Sequence, residues 1–178
     1  MPVKTLYDKK HLDITLQRLA HQLVENHFSF QDTVLIGIQS RGVFLSERIV
    51  KIVRKITGNK HIDHGKLDIT FYRDDVHSKD LHIPAQTDIN FSIEKRNVVL
   101  IDDVLYTGRT VRAAMDALID FGRPNKVELL VLIDRRFSRE LPVQPDYAGC
   151  TVDSISTQTV KVYWKEVDGR DEVVLIEK

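Results

Sequence analysis

The sequence contains one cysteine, one tryptophan and no net charge, and no run of aliphatic residues longer than Leu129 to Ile133. A lone cysteine, Cys150, cannot close an internal disulfide, which fits a reducing compartment. A bilayer span needs about 20 apolar residues, so no stretch here reaches that length. The opening residues, MPVKTLYDKK, hold no apolar leader core, and the expected location is the cytoplasm. Lys and Arg together number 26, as do Asp and Glu, so the molecule as a whole is not drawn to nucleic acid. Any RNA binding would need a local basic face. There is no G-x-G-x-x-G, and a dinucleotide fold therefore has no support. Gly37 and Gly42 have the spacing of a P-loop, but Val43 and Phe44 stand where the lysine and hydroxyl residue would be required.

What remains is ordinary in composition: 178 residues, 42% hydrophobic and 29% charged, with no repeat, low-complexity tract or Pro/Gly-rich linker. Residues 1–178 are expected to form one domain. Leu12, Leu16, Leu19, Leu23 and Val24 recur at helical spacing, which predicts a helix over 9–27 with Asp8 as its N-cap. Strands are predicted at 33–38, 67–72, 97–101 and 126–133, and helices at 43–57, closed by Gly58, and at 110–121. Residues 73–92 are polar and aperiodic, the pattern of a long functional loop. Two further strands, 160–164 and 172–176, flank Asp168-Gly169, a hairpin signal. Alternating strands and helices imply an α/β fold, a mainly parallel sheet with helices on both faces.

The chemistry concentrates in VVLIDDVLYTGRT, residues 98–110. Ligands of open parallel sheets bind at the carboxyl ends of strands, where Asp102 and Asp103 fall. Thr107, Gly108, Arg109 and Thr110 then open a helix, whose unpaired N–H groups and dipole favour an anion. The aspartates would repel an anion but accept hydrogen bonds from neutral hydroxyls. A sugar phosphate satisfies both ends. The bland alternative is an acidic pair that merely caps a strand end in solvent. Elsewhere the bland readings prevail. His61 and His64 lack further metal ligands, Lys51, Arg54 and Lys55 read as a solvated helix face, and Trp164 reads as a packing residue.

The stretch resembles the phosphoribosyl diphosphate (PRPP) motif of type I phosphoribosyltransferases. With GIQSRG, DITFYRDD, DDVLYTGRTVRAAMDALIDFGRP and VLIDRRFSRELP…DYAG, the chain resembles the bifunctional pyrimidine operon attenuation regulator/uracil phosphoribosyltransferase family over nearly its whole length. That resemblance implies a type I phosphoribosyltransferase fold with a small C-terminal hood. The implied reaction is uracil plus PRPP to UMP and diphosphate. It implies that Asp102 and Asp103 hold the ribose hydroxyls, that Thr107, Gly108, Arg109 and Thr110 bind the 5′-phosphate, and that Val104, Leu105 and Tyr106 between them belong to the PRPP site. Ser40 and Arg41 would meet the diphosphate, in a loop that in such enzymes often holds a cis non-proline peptide. Arg73, with Asp74 and Asp75, would open a lid. Arg41 and Arg73 would stabilise the leaving group together with Mg2+, which PRPP itself mainly holds rather than protein ligands. The base would lie under the C-terminal segment near Arg135 and Val160. The family's regulatory arm binds pyrimidine-operon leader RNA, and Arg18, His21 and Arg139 partly match its basic face, while Gln17, Gln144 and Cys150 depart from it. A homo-oligomer, a dimer or larger, is expected. Two alternatives stay open: a transferase for another base, and an RNA-binding regulator with little catalysis.

Overall fold

The computed structural model describes residues 2–74 and 85–177. The elements run β1 (Val3–Tyr7), α1 (Lys9–His27), β2 (Thr33–Ile38), α2 (Gly42–Thr57) and β3 (His64–Leu67). After a 3-10 turn at Thr70–Tyr72 come β4 (Asn97–Leu105), α3 (Arg109–Leu118), β5 (Lys126–Arg136), β6 (Tyr147–Asp153), β7 (Gln158–Tyr163), α4 (Lys165–Asp168) and β8 (Glu172–Glu177). Five strands form a sheet in the order β3-β2-β4-β5-β6, every pairing parallel. A second, antiparallel sheet has the order β1-β8-β7. No helix among the described residues is long and apolar enough to cross a membrane.

The strand sequences explain the two-faced packing. Successive side chains point to opposite faces of a sheet. Leu35, Val99, Ile101, Leu130 and Leu132 face the leucines of α1 and the Leu45, Ile49 and Val53 stripe of α2. Val34, Ile36, Val98, Leu100, Leu129 and Val131 face Val111, Ala114 and Leu118 of α3. Both faces are apolar because both are covered. Asp8 caps α1 as predicted, accepting from the His11 N–H at 2.8 Å.

Strand order positions the site. The chain passes from β2 outward to β3, then returns to β4 on β2's other side. Such a reversal opens a crevice at the carboxyl ends of the two central strands. The approach there is close: a Cβ on Gly42 would lie 2.5 Å from the Ile101 carbonyl, and one on Gly37 would lie 2.2 Å from Ser46 Oγ. The two glycines that mimic a P-loop therefore serve helix–strand packing.

Several boundaries differ from the sequence reading. The segment predicted as a strand over 67–72 splits. β3 ends at Leu67, and Asp68 accepts from the Thr70 N–H at 3.0 Å and the Thr70 hydroxyl at 2.7 Å, turning the chain into the 3-10 turn. β4 runs on to Leu105, so Asp102 and Asp103 lie inside a strand rather than beyond it. The last two strands pair antiparallel, but α4 joins them in place of a two-residue turn, with Gly169 (φ 72) closing it. The hood is not wholly C-terminal either: β1, from the other end of the chain, is one of its edges.

Candidate functional site

A cavity of about 370 Å³ lies at the end of β4 and the start of α3, lined by Arg73, Asp74, Asp102, Glu140 and the stretch Val104–Val111. β4 delivers Asp102 to one side and leads directly into the turn on the other. The turn closes because Gly108 takes φ 96, a left-handed conformation that other residues adopt only with strain. No side chain caps α3 from Gly108; the Arg109 N–H makes a long bond to Thr107 Oγ1 at 3.4 Å, and the Thr110 and Val111 N–H groups face no such acceptor among the described residues and suit an anion. Behind the turn, the carbonyl of Thr107 accepts from the N–H groups of Glu140 (3.0 Å) and Leu141 (3.2 Å). The carbonyl of Tyr106 accepts from the Arg139 guanidinium, which also binds Asp134. With its carbonyls engaged from behind, the turn offers donors to the cavity.

The other end is acidic and dry. Asp102 is 8% exposed and accepts from the neighbouring Asp103 N–H at 2.9 Å. Burial holds the Asp102 carboxyl well above the usual range, and the charge of Asp103 adds to it. Burial pushes Asp103 up to about 6, against the pull of Arg41. Asp102 lines the cavity, whereas Asp103, the next residue of the strand, is half-buried and outside its lining. A poorly solvated carboxyl is primed to accept hydrogen bonds from neutral hydroxyls.

The other sequence candidates fall into place unevenly. The structure brings Arg73, Asp74, Asp102 and the whole Val104–Thr110 stretch around one cavity. Ser40 follows a cis Gln39–Ser40 peptide and is exposed between β2 and α2. Arg41 is committed to the hood: Nη1 donates to Asp168 Oδ2 (2.8 Å) and to the Val162 carbonyl (2.8 Å), and Nη2 donates to Asp168 Oδ1 (3.2 Å). That pairing depresses Asp168 to about 2. Neither base candidate lines the cavity. Arg135 is buried, donating to Ser154 Oγ (2.9 Å) and the Gln158 carbonyl (2.8 Å), with its guanidinium 4.0 Å over the Tyr106 ring. It locks the turn to the hood. Val160 packs in the core beneath the hood. Asp75 lies outside the described residues.

Of the three basic-face candidates, His21 is exposed. Arg18 reaches across to β6, donating to the Gly149 carbonyl at 2.5 Å and the Ala148 carbonyl at 3.4 Å. Arg139, Arg136, Phe137, Gln144 and Ala148 line an open cleft of about 610 Å³ beside it. Lys51, Arg54 and Lys55 are exposed on α2, as read, but His64 is not a surface histidine. His64 is bound to Ser46 Oγ at 2.9 Å and burial lowers it to about 4, so it is neutral at pH 7. No cluster of three or more metal-ligating side chains occurs among the described residues. Trp164 is fully buried.

Sequence reasoning missed the segment 139–141 as the turn's support and Asp168 as the partner of Arg41. The run RFSRELP carried the first signal, a dense alternation of charges after a strand end. No local pattern announced the second.

Residues 2–166 match the family model described as phosphoribosyl transferase domain. A bifunctional protein PyrR from Thermoanaerobacter sp. is 48% identical over 97% of this chain and 97% of its own length. Another from Elusimicrobium minutum is 42% identical over 98% and 97%. Among solved structures, a hypoxanthine phosphoribosyltransferase from Staphylococcus aureus superposes with a TM-score of 0.72 at 19% identity, covering 98% of this chain and 92% of that one. At that identity the likeness speaks for the fold alone.

Proposed function

The chain belongs to the phosphoribosyltransferase family, within the group of bifunctional PyrR proteins, and from that membership we propose that it joins uracil to PRPP, giving UMP and diphosphate. One observation carries the reading: a single cavity with the buried Asp102 carboxyl at one end and an uncapped helix N-terminus at the other. The 5′-phosphate takes the N–H groups of the Thr107–Thr110 turn, and the ribose hydroxyls donate to Asp102 and Asp103. Binding both ends fixes the sugar before bond breaking begins.

In the reaction the bond from C1′ to diphosphate breaks while uracil nitrogen bonds to the same carbon, and the N–H proton of uracil leaves to solvent or to the departing diphosphate. Positive charge grows on the ribose ring and negative charge on the departing diphosphate. The buried carboxylates oppose the first. Arg73, at the cavity, and Arg41, once drawn from Asp168, oppose the second; removing one such preorganised group costs about 3–4 kcal/mol. Phosphoribosyltransferases generally use Mg2+ with PRPP, and it supplies further neutralisation of the leaving group. This chain's residues fit an ion held mainly by substrate oxygens, since Asp102 is a single buried carboxyl at the cavity, with Asp103 half-buried beside it. The base lies between the turn and the hood that Arg135 ties together.

The regulatory arm rests on a separate observation. Arg136 and Arg139 line one open cleft next to β6, paired with Asp153 and Asp134 and with exposed Phe137 between them, and Arg18 reaches the Ala148 carbonyl at its edge. A local cationic surface of that kind suits phosphates of leader RNA. UMP would favour the RNA-bound form, because a pyrimidine sensor must couple its product to its target. A homo-oligomer is part of the same reading.

The test is product formation from PRPP and Mg2+ with uracil, orotate, hypoxanthine and adenine offered separately. UMP from uracil alone is expected. Turnover of a purine with none of uracil would overturn the substrate assignment.

A further inference from the structure

The rim of the cavity carries an ion pair that a sugar phosphate would have to break. Asp74 Oδ2 lies 2.6 Å from Arg109 Nη1 and 3.1 Å from Arg112 Nη1, and both arginines are on the first turn of α3. Arg109 is held on its other side by Glu140, whose Oε2 lies 2.7 Å from Nε and 2.6 Å from Nη2. The cations nearest the uncapped helix end are thus already engaged by carboxylates. These two acids are anchored differently. The Glu140 backbone is bonded to Thr107, so its side chain approaches from a fixed support. Asp74 sits in a turn beyond the 3-10 turn at Thr70–Tyr72, in neither a helix nor a strand.

A carboxylate brings one negative charge to the two guanidinium groups. A phosphate monoester brings nearly two, with three acceptor oxygens suited to bidentate arginine contacts. The Asp74 pair is also partly solvated, with side-chain exposures of 34% for Asp74 and 46% for Arg109. Such pairs contribute little and yield readily to a stronger anion.

Resting on the assignment of this cavity to a ribose 5-phosphate group, we propose that Asp74 is an internal competitor for the 5′-phosphate seat, its carboxylate and the phosphate excluding each other at Arg109 and Arg112. The seat's affinity is then set below its maximum by a residue of the chain itself. A seat that must release a 5′-nucleotide product after each turnover gains from that restraint. The competition acts on any ligand with a 5′-phosphate and spares ligands that occupy only the diphosphate end.

The experiment is isothermal titration of the parent chain, Asp74→Asn and Asp116→Asn with ribose 5-phosphate, and separately with inorganic diphosphate and Mg2+. Asp116 lies 3.6 Å from Arg112 but does not line the cavity, so its variant reports the general effect of removing one nearby negative charge. Asp74→Asn is expected to bind ribose 5-phosphate about threefold to fivefold tighter than either of the others, with diphosphate affinity within about twofold of the parent. The gain should shrink as salt rises, because the pair is screened. Equal or weaker binding of ribose 5-phosphate by Asp74→Asn overturns the proposal, as does an equal gain in Asp116→Asn or a parallel gain for diphosphate. A parent chain that binds neither ribose 5-phosphate nor PRPP would instead bring down the assignment of the cavity.

Discussion

Two acidic sites lie on neighbouring strands of one sheet, at opposite ends, and only one is provided for. Glu128, near the start of β5, has Lys126 Nζ at 2.5 Å and His27 Nε2 at 2.8 Å, with the Tyr147 hydroxyl at 3.5 Å. Burial lowers the His27 pKa against the pull of Glu128, so the ring is neutral at pH 7. A neutral ring donates from Nε2 to Glu128 and accepts at Nδ1 from the Thr33 hydroxyl, 3.0 Å away. Every polar atom there has a partner. Asp102 and Asp103, toward the end of β4, have no comparable set of donors among the described residues, and burial raises both, Asp103 to about 6 against the pull of Arg41. An acid that holds the fold finds its donors within the fold. An acid meant for a ligand is left short of them and costs stability.

The sharpest break of that contrast is the double variant Asp102→Asn with Asp103→Asn. Its kcat/KM for PRPP should fall by about 100-fold to 1,000-fold, while the fold becomes more stable at neutral pH. The sign follows from linkage. Asp103 has a folded-state value near 6 against an ordinary 3.8, so its contribution is full below pH 4 and is lost as pH rises through 6. The asparagines remove that loss, worth on the order of 1–3 kcal/mol at pH 7. Denaturant unfolding and turnover, measured on the same preparations, read both effects. Near-normal turnover would end the ribose role.

At the other end, Glu128→Ala should cost roughly 2–4 kcal/mol, because it strands the His27 donor in a buried site, while Lys126, 58% exposed, turns to solvent. Turnover per folded molecule should stay within about twofold. A large loss of turnover with little loss of stability would make the two ends alike.

A third measurement separates opposing titrations. His64 is depressed from 6.5 to about 4 by burial. Its contribution is present above pH 6.5 and lost as pH falls through 4, the reverse of Asp103 over the same window. His64→Gln should flatten the acid side of the stability profile by about 1–2 kcal/mol. An unchanged profile would mean that His64 stays solvated.

The smallest effect concerns RNA. Arg18→Ala should lower the salt slope of leader-RNA binding by about one unit and leave uracil turnover unchanged. An unchanged slope would remove Arg18 from the basic face.

Much of the working end was legible because it is local. The acidic pair, Gly108 and the start of α3 fall within about a dozen residues, and the sequence pattern placed them on one strand–turn–helix unit. What escaped was set by distant partners. β4 continues through two aspartates because Asp102 pairs with Val131 of β5, a tertiary register that overrides the poor strand preference of aspartate. β1 was missed because its register is written in β8, with Val3 opposite Ile176. β6, an edge strand, lies beside β5 and carries Tyr147, Gly149 and Cys150 in no clear alternation. Arg41 looked like a diphosphate ligand from its loop alone, and only the fold shows Asp168, 127 residues away, beside it.

The central claim is that Asp102 and Asp103 are held for a ribose and Glu128 for the fold. Carbon-13 NMR of the aspartate and glutamate carboxyl groups, titrated from pH 4 to 8 with and without saturating UMP, tests it directly. Hydroxyl donors favour the ionised carboxylate, so UMP should move the Asp103 titration downward from about 6 and leave the Glu128 signal where it was. An Asp103 titration untouched by saturating UMP would contradict the account.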